Sequence, residues 1–208
     1  VVVLLAVCAY FAFDNRLSVT KYTVSSDKIP ISFDGYNIVQ LTDLHCARFG
    51  ENQQELTEQI AALSPDLIVF TGDMIDQYLL DFDPIEELCS ALSEKYRVLA
   101  IWGNHEKALS YSDFEKMKKL YRQYNIEILC VDTAYIERGE SSIAISGADD
   151  PACWNDDAVD FVNENGIGVS PAEGLYSILL YHRANIFPAL TDLGFDLILA
   201  GHMHGGQI

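Results

Sequence analysis

Positive charge is scarce in this 208-residue sequence: 13 Lys and Arg stand against 31 Asp and Glu, a formal net charge of −18. Nucleic-acid grooves draw their affinity from Lys and Arg that neutralise phosphates, so no nucleic-acid partner is expected. Paired thiols are lacking too. The five cysteines, Cys8, Cys46, Cys89, Cys130 and Cys153, are widely spaced and form no CxxC, which argues against a disulfide framework and against a thiolate zinc site. Cys46 alone adjoins a polar cluster, and packing is its simplest role. There is no internal repeat or low-complexity segment, and no protein partner is evident. Apolar runs of bilayer length are also missing: the longest, VVVLLAVCAYFAF at residues 1–13, makes a helix of about 20 Å against a hydrocarbon core of about 30 Å. Because the sequence does not begin with Met, this run is expected to be the C-terminal part of a transmembrane or signal-anchor helix, with a signal-peptide core or a buried helix as the alternatives. The expectation is a membrane-anchored, single-pass protein whose side is open, with a lean towards extracytoplasmic.

Apolar residues make up half of the chain, enough for one domain with a sizeable core. Residues 14–35 read as a juxtamembrane stretch and a first edge strand, with SSDKIP as a turn. From residue 36 to 208 the chain reads as one domain. Apolar strands in YNIVQL, DLIVF and RVLAIW are followed by helices through NQQELTEQIAAL, DPIEELCSALSEK and YSDFEKMKKLYRQY. In the last of these Phe114, Met117, Leu120, Tyr121 and Tyr124 share one face. The second half is richer in strands: IEILCVD, AYIERG and SSIAISGADD precede a helix near 155–165 and the closing SILLYH and DLILAG. This order predicts an α/β fold of two packed sheets flanked by helices.

All five histidines lie in short polar clusters at the ends of apolar runs. The clusters are Asp43 with His45, Asp73 with Asp76, Asn104 with His105, His182, and His202 with His204. Ligands of layered α/β folds gather outside the carboxyl ends of strands, so these clusters are expected to converge. Residues i and i+2 of an extended strand end project the same way, which lets DLH and HMH each aim two ligands into one pocket. Carboxylate, imidazole and amide oxygen without thiolate suit divalent first-row ions. The set is too large for one ion, whereas two ions about 3.5–4 Å apart, bridged by one carboxylate, use all of it and suit in-line displacement at phosphorus.

The order D-x-H, G-D-x-x-D, G-N-H-E, H, G-H-x-H resembles the calcineurin-like metallophosphoesterases across residues 36–208. LTDLH, GADDP, YHR and GHMHGGQI are most similar to a membrane-associated bacterial phosphodiesterase group akin to enzymes that cleave UDP-diacylglucosamine. The resemblance implies a four-layer α/β/β/α sandwich of two mixed sheets, continuing with further strands beyond Ile208, so that the sequence is a fragment at both ends. It implies that Asp43, His45 and His204 bind one divalent ion and Asn104, His182 and His202 a second, Mn, Fe or Zn, with Asp73 between them. His105 then acts as general acid or charge stabiliser, oriented by Asp76, while a bridging hydroxide attacks a phosphodiester or pyrophosphate in line. The substrate is a small molecule, lipid-linked or nucleotide-linked, and the alternatives are a general phosphomonoesterase or nucleotidase and a non-catalytic metal-binding domain. Protein phosphatases of the same superfamily place an Arg directly after G-D-x-x-D; here Gln77 stands there, against phosphoprotein substrates. Glu106 reads as a supporting or capping group, Arg183 as either a phosphate contact or an exposed strand-end residue, and Asp149 and Asp150 as pocket or turn residues.

Overall fold

The computed structural model describes residues 17–151, 162 and 166–204. Four short strands, β1 (Ile38–Leu41), β2 (Leu67–Phe70), β3 (Val98–Ala100) and β4 (Glu127–Ile128), form one sheet in that order. All its pairings among the described residues are parallel, so within them this sheet is not mixed as expected. Each strand returns through helix, which is what parallel neighbours require. The helices are α1 (Gln54–Leu63), α2 (Asp83–Ser93), the single turn α3 (Asn104–Lys107) and α4 (Tyr111–Gln123). The second sheet is mixed: β5 (Asp132–Arg138) and β6 (Ser141–Gly147) are antiparallel, and β7 (Ser177–Arg183) and β8 (Leu197–Gly201) add in parallel. A short helix α5 (Phe187–Thr191) joins the last two strands.

The apolar run LIVF explains the layering. All four side chains of β2 are fully buried. Leu67 and Val69 pack with Leu99, Ile101, Ile143, Ile145 and Leu180 between the sheets. Ile68 and Phe70 face the other way, onto Ile60, Leu88, Met117 and Tyr121 of the helices. Leu179 and Tyr181 of β7 pack outward with Ile186 and Leu190, so the second sheet is covered as well. Each such side chain contributes about 1.5–3 kcal/mol on burial.

The edge strand expected within 14–35 does not form among the described residues of that stretch. Residues 18–28 are exposed, Pro30 lacks the N–H a ladder needs, and a 3-10 turn at Ile31–Phe33 follows, with Phe33 buried against the inter-sheet core. The strand read from IEILCVD shrinks to Glu127–Ile128. The apolar run at 1–13, and the helix expected near 155–165 apart from buried Val162, lie outside the described residues. Among those described, no helix is long and apolar enough to cross a membrane.

Candidate metal centre

The carboxyl ends of β1, β2, β3, β7 and β8 meet at one place, and with them the polar clusters. Two groups of ligand atoms, each spanning no more than 4.8 Å, combine Asp43, His45 and His204, and Asp73, His182 and His202. A third group, His45, Asp76 and His105, adjoins the first. Asp73 Oδ2 lies 3.1 Å from His182 Nε2 and 3.9 Å from His45 Nε2, between the two main groups. Asn104 Oδ1 is 3.0 Å from His182 Nε2, and His204 Nε2 is 3.1 Å from His45 Nε2.

The chain bends sharply to bring these atoms together. Asp43, His45, Asp73, His202 and His204 all have positive φ, between 46° and 73°. Non-glycine residues in that region cost about 1–2 kcal/mol each and persist only where their surroundings over-determine them. Here the surroundings are hydrogen bonds. Asp43 accepts the His202 N–H at both carboxylate oxygens, at 2.9 and 3.0 Å, and Asp73 Oδ1 accepts the His105 N–H at 2.8 Å. Close backbone approach does the rest: a Cβ at Gly103 would collide with the Asp73 carboxylate, and one at Gly201 with Thr42 and Asp43.

Charge and protonation fit divalent ions. Burial pushes the His182 imidazole down, but its hydrogen bond to Asp73 and the Thr71 carbonyl beside Nδ1 at 2.8 Å lift it to about 9. The Asp73 carboxylate that lifts this ring is also among the candidate ligands, and an ion bound there would take the place of the proton on Nε2. Burial lowers the His45 and His202 imidazoles, which keeps them neutral as ligands must be. His45 Nδ1 is buried without a hydrogen-bond partner among the described residues.

Residues 36–206 match the family described as calcineurin-like phosphoesterase. The chain belongs to that family. Its relatives include the uncharacterized metallophosphoesterase YkuE of Bacillus subtilis, 31% identical over 93% of this chain and 67% of the relative. Phosphodiesterase YaeI of Escherichia coli is 26% identical over 83% of this chain and 62% of its own length. The transmembrane protein with metallophosphoesterase domain of Danio rerio is 25% identical over 99% and 49%. The chain therefore spans between half and two thirds of the length of these relatives. The calcineurin-like phosphoesterases are metal-dependent phosphoric ester hydrolases, and the paired ligand groups agree with that chemistry.

In this member of the family two supporting residues, Asp76 and Arg183, depart from the expectation. Asp76 does not hydrogen-bond His105: its Oδ1 stands 3.8 Å from Nδ1 and instead accepts the N–H groups of Tyr78 and Leu79 at 2.6 and 3.2 Å. The Gln77 N–H donates to His105 Nδ1 at 3.2 Å, which leaves Nε2 to carry the proton of the neutral ring. Arg183 is no surface phosphate contact, since it is buried and paired with Asp150 through Nε at 2.8 Å and a second nitrogen at 3.2 Å. Asp149 pairs with Lys107 at 2.6 Å.

Glu106, expected to support or cap, does both. Fully buried, it accepts backbone N–H groups of Gly103 and Asp73 at one oxygen and of Met74 and Ile75 at the other, at 2.7–3.3 Å. It thereby ties the β2 and β3 loops together; burial first, and Asp73 second, push its carboxyl up to about 7. Sequence reasoning missed Gln40, whose amide donates to Thr71 Oγ1 at 2.8 Å and to the Ala200 carbonyl at 2.9 Å, joining the two sheets below the site. A lone Gln inside the apolar strand IVQL was the available signal.

Proposed function

We propose that the protein is a two-ion phosphodiesterase or pyrophosphatase. The observation that supports this is Asp73 Oδ2, within 4 Å of a ring nitrogen of both ligand groups. In this reading Asp43, His45 and His204 hold one ion, Asn104, His182 and His202 the other, and Asp73 both; Mn, Fe or Zn suits the donor set. Bound there, such ions supply Lewis acidity to phosphoryl oxygens and acidify water. His105, whose Nδ1 accepts the Gln77 N–H, would offer its Nε2–H to the departing ester oxygen and stabilise the charge that develops there. Asp76 shapes the turn beside His105 and lends charge at 3.8 Å. Gln77 in place of a cationic side chain favours small diesters over phosphoproteins. An anchor through residues 1–13, an extracytoplasmic domain and a lipid- or nucleotide-linked substrate belong to the same proposal, supported by the apolar run and by the name of the zebrafish relative.

The test is metal content measured together with hydrolysis of bis-p-nitrophenyl phosphate. The wild type should bind about two ions per chain and turn over, Asp73→Asn should lose metal, and His105→Ala should keep metal while losing about 10²–10⁴ in rate. Turnover of monoesters alone would replace the diesterase with a nucleotidase. Full metal without turnover on any ester would leave a binding domain.

A further inference from the structure

The turn after β2 holds two large apolar side chains in the open. Tyr78 is 75% exposed and Leu79 78%, whereas Ile75 before them is fully buried and Phe82 after them nearly so. The turn itself is fastened on three sides. Asp76 N–H donates to Cys46 Sγ at 3.1 Å, Gln77 N–H donates to His105 Nδ1 at 3.2 Å, and the Asp76 carboxylate accepts the next two N–H groups. Exposure here is therefore built into a pinned backbone. The rings form a sequence leading outward: His105 lies 4.5 Å from His45, and Tyr78 stands perpendicular to His105 at 6.0 Å between centroids.

We propose that Tyr78 and Leu79 form a leaving-group shelf that receives an apolar, ring-bearing alcohol and thereby selects which ester bond of a diester breaks. The inference rests on the reading of His105 as the group that meets the leaving oxygen. In the step concerned, a water oxygen bonds to phosphorus and the bond from phosphorus to the leaving oxygen breaks, its electron pair staying on that oxygen. The His105 Nε2–H stabilises the charge developing on that oxygen by hydrogen bonding, one proton of the attacking water ends on it, and the neutral alcohol leaves across the Tyr78 ring. A flat ring gains dispersion and quadrupole contacts with an exposed aromatic face, and Leu79 widens the apolar surface beside it.

Phenyl hexafluoroisopropyl phosphate, whose two leaving groups have similar acidity, tests this by internal competition. The ratio of phenol to fluoroalcohol does not depend on the fraction of protein folded or loaded with metal. The wild type should release phenol preferentially, Tyr78→Ala should shift the ratio roughly tenfold towards fluoroalcohol, Leu79→Ser less in the same direction, and Tyr78→Phe hardly at all. An unchanged ratio in Tyr78→Ala overturns the shelf. A second readout needs no turnover: the wild type should bind phenylphosphonate more tightly than methylphosphonate, and Tyr78→Ala should lose that advantage. If the wild type hydrolyses no diester, the diesterase reading fails by itself, and the phosphonate comparison still decides the shelf.

Discussion

At the scale of single residues, the centre depends on one carboxylate that belongs to none of the ligand groups. Glu106 satisfies four backbone N–H groups from the two loops that carry Asp73, Asn104 and His105. An amide in its place would turn an NH₂ towards two of those donors. Glu106→Gln should therefore cost about 2–4 kcal/mol in the metal-free protein, measured by urea unfolding. Ion affinity should fall about 10–100-fold, measured by titration. Loss of affinity at unchanged stability would mean that Glu106 does not brace the loops. The convergence of these side chains was legible in the sequence because imidazole and carboxylate at strand ends advertise their chemistry. Their braces were less so: the Asp150–Arg183 pair and the Gln40 bridge join residues 33 and 160 positions apart, and nothing local marks such partners.

At the scale of elements, strands buried on both faces were readable as unbroken apolar runs, β2 and β7 above all. Strand direction was less readable: the first sheet is wholly parallel because every connection within it passes over the helical side. The expected edge strand failed because apolar character within 17–35 is sparse and Pro30 interrupts it. Leu99 of β3 sits between the sheets with no exposed surface. Leu99→Ala should destabilise by about 2–5 kcal/mol with an unchanged urea m value. Bound metal should be released at the same urea concentration at which the fold melts, because the candidate ligands come from both sheets. Release well before melting would show that the site is not coupled to inter-sheet packing.

On the scale of the whole molecule, a surface of strongly negative charge encloses a centre able to hold cations, and binding there adds to stability. With ion at 100 times its dissociation constant, linkage contributes about 2.7 kcal/mol. Chelation should therefore lower the Tm by roughly 5–10 °C, and excess ion should restore it. A Tm indifferent to chelator would mean that the bent loops are no better held with ions than without.

The division of ligands between the sheets also sets an order of events in time. Asp43, His45, Asp73 and Asn104 follow β1, β2 and β3 and are made first, while His182 lies in β7 and His202 and His204 follow β8. A ribosome-bound chain that has completed the parallel sheet owns only part of each ligand group. In the proposed reading it is chemically silent, and hydrolysis cannot begin before β8 has docked.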